Sequence, residues 1–173
     1  MFMPDSGFIC ASVWIFGMDR RKMNLVIYSF HKSTYMNETK IIASAEAVNK
    51  DEVFTTKIFA GEFELVADEP EVYGGSNEGA APAQYICMAL ASCKAITLRM
   101  YIKRKKWLVD EIRVKVNMVK GDQMPSGLNT FFCSVKLVGV LTEEQEKRLM
   151  EISKVCPVDR LLSKPSEVIT IME

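Results

Sequence analysis

The segment from Pro82 to Trp107 constrains the fold more than any other part of the chain. Pro82 suits the first position of a helix, where a missing amide hydrogen costs nothing. From Tyr85 to Ala91 the residues are apolar on every side of the helix rather than along one stripe. A helix of that kind is expected to be buried all round. Its far end is strongly basic, with Lys103, Arg104, Lys105 and Lys106 ahead of Trp107. Cations there complement the negative end of the helix dipole, so the run reads as a solvated terminus rather than a phosphate-binding patch.

The flanking segments are patterned as strands. Short β-like runs from Ile41 to Val48, Val53 to Ile58 and Phe63 to Ala67 are separated by Asn49-Lys50-Asp51 and by Ala60-Gly61. That spacing predicts antiparallel strands joined by tight turns. Asp68-Glu69-Pro70 and a glycine-rich stretch from Gly74 to Gly79 follow. The stretch lacks both the Lys-Ser/Thr pair and the G-x-G-x-x-G spacing of phosphate loops, and reads as a flexible surface connection. Beyond the helix, Ile112, Val114, Val116 and Met118 alternate with Glu111, Arg113, Lys115 and Asn117, the pattern of a half-buried strand. Phe131 to Val140 gives another. Thr142-Glu143-Glu144-Gln145 has the form of a capping box opening a helix that runs to about Lys154. A short amphipathic turn from Cys156-Pro157 to Leu162 and a closing strand from Val168 to Met172 complete the order. Strands, long helix, strands, helix and strand make an α+β domain.

The first 35 residues carry little of this patterning. Phe8 to Phe16 is apolar, but Arg20, Arg21 and Lys22 come after it, whereas a secretory signal places its charges first. Five methionines fall within the first 36 positions, and regular patterning begins only past Met36. Residues 1–36 are therefore expected to be an extension, poorly ordered or not native, with the biological start near Met36 and the domain occupying residues 37–173.

Composition removes several functions. The 22 Lys+Arg balance 22 Asp+Glu, which argues against a nucleic-acid partner. No apolar run approaches the roughly 20 residues of a membrane span. His31 is the single histidine, so a His-rich zinc site is out of reach within one chain. The five cysteines, Cys10, Cys87, Cys93, Cys133 and Cys156, are odd in number and contain no C-x-x-C pair. They suit free thiols in the reducing cytoplasm better than a secreted disulfide framework, and no metal is called for.

Two of these thiols stand apart. Cys133 shares strand parity with Phe131, Val135 and Leu137, and Cys87 lies in the all-apolar part of the helix, so both read as core. Cys10 falls in the extension. Cys93 sits between Ser92 and Lys94, where the helix turns from apolar to mixed. Cys156 precedes Pro157 and is expected to cap the following helix, facing its free amides and positive dipole end. On local physics Cys156 is then the thiol with the lower pKa. The residue types alone leave both a reactive pair and two buried small hydrophobes open.

Asp68-Glu69-Pro70, Gly74-Gly75, Ala81-Pro82, Ala89-Leu90-Ala91-Ser92-Cys93 and Val155-Cys156-Pro157-Val158 together resemble the OsmC/Ohr family of small thiol-dependent proteins, over roughly Thr39 to Glu173. Thr97-Leu98-Arg99-Met100-Tyr101 and Leu141-Thr142-Glu143-Glu144-Gln145 look like its OsmC-like branch. The resemblance implies an OsmC-like fold with antiparallel sheets wrapped around central helices in an intimate homodimer, with active sites at the interface. It implies a cofactor-free peroxidase acting on small organic hydroperoxides under oxidative stress. Cys93 would be the peroxidatic thiol and Cys156 the resolving one, and a dithiol reductant, of which a lipoyl group is one form, would reopen their disulfide. Family members hold the thiolate with a glutamate and an arginine. Glu69 matches the glutamate, with Glu71 its rival. The arginine has no counterpart between Ile41 and Ala67; Lys57 is the candidate substitute, and Arg99, six residues beyond Cys93, is off its helical face. That departure keeps a second reading alive, a redox-sensing or small-molecule-binding module without efficient turnover, and behind it a purely structural dimer.

Overall fold

The computed structural model describes residues 40–172. The expectations for residues 1–36, with Cys10 and His31, lie outside the described residues. All the elements below fall in one compact unit, Ala45–Glu173. Its order is β1 (Glu46–Val48), β2 (Thr56–Ala60), β3 (Phe63–Ala67), α1 (Pro82–Lys105), β4 (Leu108–Val119), β5 (Thr130–Val140), α2 (Glu143–Ser153) and α3 (Pro157–Leu162). The mixed class expected from the pattern is present. Two antiparallel sheets form, one in the order β1-β2-β3 and the other a long β4-β5 ribbon.

The first strands differ from the sequence expectation for a local reason. The Asn49 side-chain amide donates to the carbonyls of Glu52 and Thr55 and to Thr56 Oγ1, gripping the chain in a bend. The ladder therefore resumes at Thr56 rather than Val53, and β1 shrinks to three residues. The closing strand expected over Val168 to Met172 is not formed: the segment has no ladder partner among the described residues, and Val168, Ile169 and Met172 are exposed. Alternating apolar residues make a strand only where a neighbouring strand accepts their backbone bonds.

The glycine-rich stretch is organised, not loose. Asp68 is buried, and its carboxylate accepts the amides of Glu69, Ser76 and Glu78. A Cβ at Gly75 would stand 1.9 Å from the Glu69 carbonyl oxygen, and one at Gly79 1.9 Å from that of Val66. Glycine is required there because backbone packs on backbone.

The core lies where α1 meets β4 and α2. Leu98, Tyr101, Ile102, Val109 and Leu149 form it, with Trp107, Ile112, Val135, Leu137, Leu141 and Ile152 packed around them. The capping box of α2 closes as expected: the Gln145 amide donates to Thr142 Oγ1, and the Thr142 amide to Gln145 Oε1. Against the sequence expectation, α1 is long and apolar enough by length and mean hydropathy to pass for a membrane span; one of its faces packs into this core. Burial on every side is not seen within one chain. Leu90, Leu98 and Ile102 are covered, while Ile96 and Met100 are 60% and 68% exposed.

Candidate active site

The site is built on two short stretches, one in the middle of α1 and one at the start of α3. Cys93 lies on α1, half-buried, and Cys156 is the residue that caps α3. α1 and α3 pack together, and this brings the two thiols near enough across 63 positions of sequence for Cys93 to influence the Cys156 thiol. Cys156 is 0% exposed.

That burial reverses one sequence expectation. The amides of Val158 and Asp159 do face the Cys156 sulfur and pull its pKa down, though neither closes a cap hydrogen bond. Loss of hydration acts harder in the other direction, and the interaction with the Cys93 thiol adds to it, so the Cys156 pKa is raised. A helix terminus lowers a thiol pKa effectively only where the thiolate also keeps some solvent.

The other two thiols among the described residues are less enclosed than predicted. Cys87 and Cys133 are half-buried rather than core. Burial raises the Cys133 pKa, with the charge of Lys94 opposing and Asp159 and Cys87 adding to the rise. Cys133 and Asp159 line an open cleft of about 680 Å³ together with Leu90, Phe131 and Leu162; neither Cys93 nor Cys156 belongs to it.

The hydrogen bonds and ion pairs of the expected helpers among the described residues do not include the thiols. Glu69 follows the buried Asp68, and its side chain makes no hydrogen bond or ion pair among the described residues; its rival Glu71 opens an exposed 3-10 turn. Lys57 is engaged across the sheet with Glu64 at 2.7 Å. Arg99 donates to the carbonyls of Val109 and Asp110, tying α1 to β4, as its off-face position on the helix foretold.

The charged group that does sit here is one the sequence reading passed over. Lys94, next to Cys93, is only 4% exposed; its ammonium pairs with Asp159 and donates to the Ser153 carbonyl at 2.9 Å. The signal was faint. Lys94 and Asp159 look like ordinary surface residues until the packing of α1 on α3 is known.

The family model for OsmC-like protein matches residues 75–171, more than half of the chain. The chain belongs to the OsmC-like family. Solved structures show the same fold. An OsmC-like protein from Mycoplasma pneumoniae superposes with a TM-score of 0.60 at 16% identity, over 72% of this chain and 89% of that one. An organic hydroperoxide resistance protein OsmC from Legionella pneumophila gives 0.52 at 16% identity, covering 72% and 90%. An organic hydroperoxide resistance protein from Elizabethkingia anophelis gives 0.50 at 23% identity, covering 72% and 89%. No curated protein matches by sequence. Both thiols of this OsmC-like chain fall within the matched segment, whereas Glu69 and Lys57 precede it.

Proposed function

We propose that this protein is a thiol-dependent peroxidase that reduces organic hydroperoxides through Cys93 and Cys156. The observation that carries the reading is the meeting of these two thiols across α1 and α3, in a family whose solved relatives include proteins named for organic hydroperoxide resistance. Cys93, half-buried where Cys156 is fully enclosed, is the one assigned the first attack. Its thiolate attacks an oxygen of the hydroperoxide O–O bond, the alcohol leaves with a proton, and Cys93 becomes a sulfenic acid. The Cys156 sulfur then attacks the Cys93 sulfur; a disulfide forms and water leaves. A dithiol reductant restores both thiols and is itself oxidised to a disulfide.

In this reading the enzyme is a homodimer working in the cytoplasm without cofactor. The exposed apolar residues of α1, Ile86, Ile96 and Met100, are the surface a second copy would cover. Glu69 is the carboxylate assigned to orient the thiolate. Cys93→Ser should abolish peroxide-dependent thiol oxidation, and Cys156→Ser should leave a sulfenate that dimedone traps and excess peroxide over-oxidises. Unaltered turnover by the Cys93→Ser protein would overturn the mechanism.

A redox-sensing or binding module on the same scaffold is the second reading. It is favoured by the engagement of Lys57 and Arg99 elsewhere, which leaves the thiols without either cation. Stopped-flow oxidation by cumene hydroperoxide separates the two, since only the enzyme reacts fast and selectively.

A further inference from the structure

Lys94 makes two contacts, and they bracket Cys156. Ser153, whose carbonyl accepts from the ammonium, lies three residues before it; Asp159, the ion-pair partner, lies three residues after it. Ser153 is the last residue of α2, so its carbonyl is one of the four left without an intrahelical partner and carries the negative end of that helix's dipole. Asp159 is in the first turn of α3. The link from Lys154 to Cys156 is thus pinned at both ends by one side chain, and that side chain is the immediate neighbour of Cys93 on α1.

We infer that Lys94 and Asp159 are positioning residues: the buried pair clamps the Cys156 segment onto α1, keeping the resolving thiol enclosed and opposite Cys93. This rests on the assignment of Cys93 and Cys156 as the redox pair, but not on any peroxide chemistry. The clamp does not act through charge on the Cys156 sulfur, whose environment is set by burial, Cys93 and the local amides. Its effect is geometric. Asp159 retains partial exposure, so without Lys94 it can hydrate and let the segment lift, while Lys94 has no such outlet.

The test is site-resolved alkylation of the folded, reduced full-length protein by iodoacetamide, read by peptide mass spectrometry at low conversion. In the parent, Cys93 is modified ahead of the enclosed Cys156. In Asp159→Asn and in Lys94→Met, Cys156 labelling should accelerate about ten-fold or more through local opening, with the far-ultraviolet circular dichroism and the rate at Cys87 unchanged. Asp159→Glu, which keeps the charge, should restore most of the protection. Cys156 labelling within about two-fold of the parent in both variants would overturn the clamp, since no opening has been gained. Equal acceleration at Cys87, or failure of both variants to fold, would also overturn it, by showing that the pair supports the whole domain rather than this segment. Protection that responds as expected in a protein inert to hydroperoxide would instead sink the peroxidase reading and leave the clamp standing.

Discussion

Removing either member of the Lys94–Asp159 pair should not cost the same, and the structure sets the order. Lys94 is 4% exposed and Asp159 26%. Asp159→Ala strands an ammonium in the interior with a single carbonyl partner, a change worth about 3–5 kcal/mol when a buried pair is broken. Lys94→Met keeps most of the stem's apolar packing, and the carboxylate it frees can reach water. What remains is the Ser153 carbonyl without its donor, about 1–3 kcal/mol. Lys94→Met with Asp159→Leu removes both charges, and apolar replacement of a buried pair is often neutral, so the double variant should lie closer to the parent than Asp159→Ala does. Urea unfolding of the reduced protein at pH 7, at one fixed protein concentration, gives all four values and closes a double-mutant cycle. A Lys94→Met protein less stable than Asp159→Ala would refute the reasoning, because the buried member would then not be the one that needs its partner.

Three further outcomes rest on separate parts of the fold. The Glu78 amide, against the opposing effect of burial and with help from the amides of Glu69 and Ser76, holds the Asp68 carboxyl below its ordinary value. The stability it contributes is therefore present in full above about pH 4 and is lost as pH falls through the depressed value; thermal denaturation should show the gap between parent and Asp68→Asn narrowing in acid. Leu98 is completely enclosed at the centre of the core, and Leu98→Ala should cost about 2–5 kcal/mol in urea unfolding. Thr142→Ala opens the capping box of α2 and should cost about 1 kcal/mol by the same measurement.

The elements that were legible in the sequence are those whose cause is local. Pro82 at a first helical turn, the Thr142–Gln145 box and the alternation from Ile112 to Met118 all specify geometry through neighbours a few residues away, and the structure carries each of them. Where a distant partner decides, the pattern was insufficient. The residues from Val168 to Met172 look like a strand but find no ladder partner within the described chain. Gly74 to Gly79 look loose, yet one buried carboxylate and two backbone-on-backbone contacts fix them.

The same division runs through the site. Motif and spacing picked out Cys93 and Cys156, and the cap position of Cys156 followed from Pro157 alone. The direction of the Cys156 pKa did not follow, because dehydration depends on what packs over a sulfur, and only the contact of α1 with α3 reveals it. Lys94 is the sharpest case. A lysine one residue from a candidate thiol reads as a solvated charge until α1, the end of α2 and the start of α3 converge on it and turn it into a buried ion-pair member. Sequence by itself determined the helices and strands whose cause is local and which thiols to watch, since those depend on periodicity and on caps. Tertiary structure alone decided which thiol is sealed, which lysine is buried and what holds the two helices together, since desolvation and ion pairing are properties of the assembled neighbourhood.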